Sequence, residues 1–185
     1  MKPVLPDRAS SSHQGALVRL RAFEPEDVEC YRAWINDPET AQFIDRARPV
    51  GRAEHEAWYR SLMASSSAAV FAVDRLIDGA FIGLVWLYDI HERHRRAEVR
   101  IVIGEKTAWG GGYGPDALRV LARIAFGERK LDKLWADVLA TNPRAARAFE
   151  RAGFTREGLL AGDRVLGKAR VDVIRLGMLR DPGRA

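Results

Sequence analysis

Trp109-Gly110-Gly111-Gly112-Tyr113-Gly114-Pro115-Asp116-Ala117 is the stretch on which the fold turns. Four of the five residues from 110 to 114 are glycine. Inside a helix or strand each would forgo side-chain packing and lose the most backbone entropy on folding. An apolar, strand-like run from Ala97 to Gly104 precedes the segment. A helical pattern follows it, with Leu118, Leu121, Ala122 and Ala125 on one face. Strand, glycine loop and helix in that order point free backbone N–H groups at a phosphate. Pro115 has no N–H and suits the first helical turn, and the helix dipole adds to the attraction for an anion. Two other readings compete. Gly112 to Ala117 matches the G-x-G-x-x-A dinucleotide fingerprint, but Glu105 to Trp109 separate the strand from the loop, and antiparallel strands come first. A plain turn needs fewer glycines than this.

On either side of the loop, turn and cap signals divide the chain. Leu17 to Arg21 suits a first strand. Glu24-Pro25-Glu26-Asp27 opens a helix that ends before Asp37-Pro38, and a second helix is expected from Arg52 to Met63. Strands are expected at Ala69–Val73 and Phe81–Tyr88, joined by the Asp78-Gly79 turn, and then at 97–104. The helix after the glycine loop should reach about Glu128. A strand at Leu134–Ala140 follows, then a helix from Asn142-Pro143 to Ala152 stopped by Gly153. Strands near Thr155–Leu160 and Val171–Met178 close the order. This is a mixed α/β fold: a mostly antiparallel sheet with one central parallel βαβ unit, strand 97–104 to strand 134–140, and helices on both faces.

The 185 residues, 47% hydrophobic and 30% charged, suit one globular domain. That domain is expected at 17–180, after a flexible leader at 1–16 and before a frayed tail at 181–185. No apolar run is long enough for a membrane span, and no signal peptide is expected. Cys30 is the only cysteine, so a reducing cytoplasm is the expected location, with Cys30 as a small buried hydrophobe beside Val28, Tyr31 and Trp34. The net charge of +5 favours anionic ligands, but the arginines are scattered along the chain, which argues against a nucleic-acid partner.

Three segments together resemble the GNAT superfamily of N-acetyltransferases, in the branch that acetylates ribosomal-protein N-termini and small amines. The first is Leu20-Arg21, Glu24-Pro25-Glu26-Asp27 and Trp34-Ile35-Asn36-Asp37-Pro38. The second is Ala108 to Leu118. The third is Asn142 to Phe154 followed by Glu157-Gly158. Their order and spacing match the family from about Leu17 to Leu179. The resemblance implies an acetyl-CoA-dependent N-acetyltransferase that needs no metal. Its acceptor would be a protein N-terminus or a small amine such as an amino sugar, with neither nucleic acid nor membrane as partner. Dimers are common among relatives, and the resemblance leaves a homodimer open. Trp109, Gly110, Gly111, Gly112, Tyr113 and Gly114 would hold the CoA pyrophosphate. Val102, Ile103 and Gly104 would pair with the pantetheine arm, and Asn142 and its helix, with Phe149, would meet the rest of the CoA.

Acetyl transfer to an amine needs a base, because the amine is mostly protonated at neutral pH. Strand alternation puts Ala97, Val99, Ile101 and Ile103 on one face and Glu98 and Arg100 on the other. Relatives often carry a glutamate on this strand, so Glu98 is the candidate base. Its competing reading is a solvated ion pair with an arginine. Asp137 is a second, weaker candidate. Two positions depart from the family: Phe149 stands where a tyrosine often protonates the thiolate, and Trp109 where Gln or Arg is common. Phe149 keeps open an alternative, a CoA-binding sensor or interaction module without turnover. Asn142 also reads as an N-cap, and Arg144, Arg147 and Arg151 as a solvated helix face or as a contact for a CoA phosphate. His91 to Arg96 reads as a structural loop rather than a metal site, and His55, Trp58 and Tyr59 as an inward aromatic face or an acceptor wall.

Overall fold

The computed structural model describes residues 13–44 and 48–181. The strands are β1 (Val18–Ala22), β2 (Ala69–Arg75), β3 (Phe81–His91), β4 (Arg96–Ile103), β5 (Lys133–Leu139), β6 (Thr155–Leu166) and β7 (Ala169–Leu179). The helices are α1 (Val28–Asn36), α2 (Pro38–Ala41), α3 (Arg52–Ala64), α4 (Tyr113–Arg123) and α5 (Pro143–Ala152). One seven-stranded sheet runs in the order β1-β2-β3-β4-β5-β7-β6. Only β4 and β5 are parallel, and every other neighbour is antiparallel. This is the mixed fold expected from the sequence.

Alternation along the central strands divides the core in two. Phe71, Val73, Val85 and Leu87 pack on the side of α4 and α5, with Leu118, Leu121 and Phe149. Val70, Ala72, Leu84 and Trp86 pack on the side of α1 and α3, with Tyr31, Ile35 and Leu62. Burial on both faces explains why β2 and β3 read as nearly continuous apolar runs.

Several expectations need correction. The leader was expected to extend to Ala16. Instead His13 is 4% exposed, its Nε2 lies 3.1 Å from Glu128, and Gln14 bridges to Arg19. Buried Asp116, in the first turn of α4, accepts the N–H groups of Leu17 and Val18 at 2.7 and 3.1 Å. Its carboxylate lies so close to Gly15 that a Cβ there would meet it at 2.3 Å. The rest of the leader and the tail from Pro182 lie outside the described residues. Cys30 is exposed, because α1 turns Val28, Tyr31 and Ile35 inward instead. Partial burial, with Asp27 and Glu105 nearby, pushes its thiol pKa up. α2 was not expected, and Asp37 caps it by accepting the N–H groups of Glu39 and Thr40. β6 runs on past Leu160 because the ladder shifts register between Leu160 and Arg164, where Gly162 takes φ +58°. This glycine, past the expected strand end, is a bulge inside the strand.

Asp116→Ala should destabilise the protein by about 1–3 kcal/mol in urea unfolding, the cost of leaving two amide donors unmet. Cys30 should be alkylated more slowly at pH 7 than a free cysteine, with its rate midpoint above the usual thiol range, because only the thiolate reacts.

Candidate active site

The parallel pair is short. β4 and β5 align only at Arg96–Lys133, Ala97–Leu134 and Glu98–Trp135. Beyond Glu98, β4 stays with β3 as far as Ile103, and β5 stays with β7 as far as Leu139. The two strands part, and a cleft opens between them. Gly104 donates its N–H to Ile82 O at 3.0 Å. Antiparallel alternation then turns the backbone of Val102 toward β3 and that of Ile101 and Ile103 toward the cleft. Ile103 O already accepts the Trp109 indole N–H at 2.7 Å.

Val102 and Ile103 line the cleft, but Gly104 does not. Its N–H is spent on Ile82, and a Cβ at Gly104 would lie 2.0 Å from the Trp34 ring. Gly104 is a packing position. Ile101 takes its place beside Ile103, as the strand period of two requires.

The glycine loop forms one wall of a cavity of about 420 Å³. Gly110 and Gly112 take φ +81° and +85°, the left-handed region open to glycine. Among the described residues, the N–H groups of Gly110, Gly112, Tyr113 and Gly114 have no acceptor. Gly111 is the exception, since its N–H goes to Ala108 O at 3.3 Å. Asp116 N–H bonds Gly112 O, so α4 begins directly behind the free amides. Across the cavity, α5 presents Arg144, Arg147 and Arg151. The stripe that reads as a solvated face in the sequence is the opposite wall of the loop's own cavity. Arg144 lies 3.8 Å over the Trp109 ring and 5.1 Å over Phe43. Burial pushes its pKa down. Asn142 caps α5, its Oδ1 accepting Ala145 N–H at 3.0 Å, and it also lines the cavity. The cap and a ligand contact are therefore compatible in space.

A second cavity of about 640 Å³ adjoins the first through Phe43, Ile44, Ile101, Val102, Asn142 and Ala145. Glu98 lies on it with only 12% of its side chain exposed, and Arg100 binds both carboxylate oxygens, at 2.6 and 3.0 Å. The guanidinium of Arg100 stacks 4.2 Å from the Tyr88 ring centre. The arginine pair is present, yet Glu98 faces a cavity rather than open solvent. Asp137 lines the same cavity and is gripped by Arg175 through both oxygens. Tyr31, Trp58, Trp86 and Tyr88 supply an aromatic wall. His55, 1% exposed, lies behind that wall, stacked on Trp58 at 5.0 Å. Phe149, 3% exposed, meets Phe154 edge-on at 5.1 Å in the core and touches the cavity with its remaining surface. In the β3–β4 loop, His91 and His94 stack at 4.3 Å, and His91 Nδ1 accepts His94 N–H.

Sequence reading missed Arg100 as a site residue, although its i+2 spacing from Glu98 on a strand signals a shared face. It also missed Trp86 and Arg164. These come from two distant elements, and no local pattern links them.

The acetyltransferase (GNAT) domain family model matches residues 18–155. The spermidine N(1)-acetyltransferase of Vibrio cholerae is 31% identical over 99 residues, covering 54% of this chain and 57% of that protein. The spermidine N(1)-acetyltransferase of Escherichia coli K12 is 29% identical over 143 residues, 77% of this chain and 75% of that protein. The aminoglycoside N(6')-acetyltransferase type 1 of Klebsiella pneumoniae is 25% identical over 153 residues, 76% and 75%. Among solved structures, spermidine N-acetyltransferase from Vibrio cholerae in complex with CoA and spermine superposes with a TM-score of 0.81 at 26% identity. It covers 88% of this chain and 95% of that one.

Gly112→Ala should destabilise the loop by about 1–2 kcal/mol in chemical unfolding, the cost of a left-handed backbone for an L side chain. Gly114→Ala, where the nearest atoms stand at 3.9 Å, should be close to neutral in the same measurement.

Proposed function

Because the chain belongs to the GNAT acetyltransferase family, we propose that the two adjoining cavities are the acetyl-CoA and acceptor sites of one active centre. The protein is an acetyl-CoA-dependent N-acetyltransferase that acts on an amine. The observation that carries the site reading is the β4–β5 fork. Glu98 sits at its apex, the anion cradle on one side and the second cavity on the other.

In this reading the free amides of Gly110, Gly112, Tyr113 and Gly114, with the α4 dipole, hold the pyrophosphate. Arg144, Arg147 and Arg151 face the remaining negative charge. Trp109 and Asn142 frame the cradle, and Gly111 shapes it. The edge of β4 at Ile101 and Ile103 aligns the pantetheine arm beside Val102. Acetyl-CoA supplies the activated acetyl group as its thioester. Glu98, directly or through one water, takes a proton from the acceptor ammonium, and the freed nitrogen attacks the thioester carbonyl. A backbone N–H on the open edge of β4 meets the charge that develops on the carbonyl oxygen. Arg100 positions the Glu98 carboxylate and is therefore a positioning residue. No enzyme-bound acyl intermediate is required.

The acceptor is a small primary amine, as the names of the relatives suggest, and the charge of the cavity narrows it further. Glu54, Glu98 and Asp137 line the cavity together with Arg48, Arg100 and Arg164. Arg48 pairs with Glu54 at 3.0 Å, so that acid too is already matched. Among the described residues the charges of the cavity balance, which favours an amine with one positive charge, such as an amino sugar or a peptide N-terminus, over a polyamine. The alternative of a module without turnover rests on Phe149. The core packing of that ring supports a structural role and leaves proton return to the thiolate to water or to another group. An unpaired Cys30 fits a reducing cytoplasm, and a homodimer would register as a doubled mass in light scattering.

Following free thiol release across an amine panel tests the reading. Glu98→Gln should lower kcat by about 10²–10⁴-fold with acetyl-CoA affinity unchanged. Acetyl-CoA binding with no turnover on any amine sinks the site assignment. A kcat/KM for spermidine above that for glucosamine and a peptide N-terminus sinks only the acceptor assignment.

A further inference from the structure

A third cavity, of about 510 Å³, lies at the opposite end of the central strands from the fork. Arg95, just before β4, and Leu131, just before β5, rim it, whereas the fork opens at the other ends of these strands. α4 connects the two places. It starts at the glycine loop, runs about 16 Å, and passes into a π-helical turn at Ile124–Glu128 whose first and last residues line the cavity.

Four unusual features converge here. The backbone closes a π turn through Arg129 N–H to Ile124 O, a geometry found mostly at functional positions. Three non-glycine residues among those described have positive φ, and two of them, Arg95 at +47° and Lys130 at +55°, line this cavity. Strain of this kind tends to be kept where a site needs it. The Arg129 side chain is part-buried, yet among the described residues its guanidinium makes neither a hydrogen bond nor an ion pair, and burial pushes its pKa down. His13, 4% exposed, keeps a buried Nδ1 with no hydrogen-bond partner.

We propose that this cavity is a second binding site, for a small organic anion: a carboxylate or phosphate head on an apolar body. Arg129 and Lys130 meet the head. Phe71, Ile90, Ile124 and Leu131 take the body. Two acids also line the cavity. Glu128 is engaged by His13, and Glu92 is exposed, where water satisfies it. Glu128 offsets part of the cost of burying Arg129, but among the described residues no hydrogen bond reaches the guanidinium, and a bound anion supplies one. This site is independent of the active-centre assignment, since none of its residues lines either of the other cavities.

Calorimetric titration of the full chain saturated with CoA, which blocks the glycine loop, tests the site with benzoate, phenyl phosphate and the cationic control benzylamine. At least one anion should bind with a Kd of about 1 mM or tighter, and benzylamine should not. Comparing benzoate with phenyl phosphate identifies the head. Arg129→Gln, and Lys130→Asn, which removes the charge but tolerates the left-handed backbone, should each weaken binding about tenfold, a loss of ~1.4 kcal/mol. Both variants should retain the thermal midpoint, kcat and the KM for acetyl-CoA. Absence of binding by both anions, equal binding of benzylamine, or undiminished binding in both variants overturns the proposal.

Discussion

Backbone groups on a strand edge must be paired, and the central constraint on this molecule is a sheet that stops pairing in its middle. β4 and β5 share three aligned residue pairs and then separate. Each continues on its outer neighbour, so the fork costs the sheet little elsewhere. What remains is an open edge at Ile101 and Ile103, half-buried where the strand lines the cleft. Trp109 satisfies one carbonyl of that edge from the glycine loop. The loop and α4 stand on one flank of the opening, α5 on the other, and Glu98 at the point of divergence.

Arginine organises the charge around this opening in three distinct ways. Arg100 and Arg175 each clamp a carboxylate through two oxygens, fixing Glu98 and Asp137 in orientation. Arg144 lies between two aromatic rings, which hold a cation in place without neutralising it. Arg147 and Arg151 extend the same wall. The planar guanidinium suits each task, since it stacks and binds bidentately, as the compact ammonium of lysine does not. Among the described residues, the Glu98 cavity is therefore balanced in charge while the glycine-loop cavity is positive.

Much of this was legible along the chain. The glycine loop, the Asn142 cap, the strand carrying Glu98 and the order of elements depend on turn chemistry and periodicity within a few residues of one another. The exceptions each involve a distant partner. Gly104 looked like a ligand-binding residue but makes room for Trp34, seventy positions away in sequence. Cys30 looked buried because its neighbours are apolar, yet the α1 face that turns inward passes through Val28, Tyr31 and Ile35. The strand expected near Thr155–Leu160 runs on to Leu166, and only pairing with β7 shows that Gly162 bends it. His13 looked like part of a loose leader until Glu128, 115 positions later, was seen beside it.

The sequence by itself determined the family, the mixed sheet with its one parallel crossover, and the loop that presents amides to an anion. These follow from local rules: glycine conformational freedom, proline at the first helical turn, alternation in strands. Tertiary structure alone decided which backbone edge is open, that the α5 arginines face the glycine loop, that Glu98 is clamped by Arg100 inside a cavity, and that part-buried Arg129 lines a third one beside two residues with left-handed backbone. Each of these depends on the distance and desolvation between groups far apart in the chain, and neither quantity is encoded in any local stretch of residues.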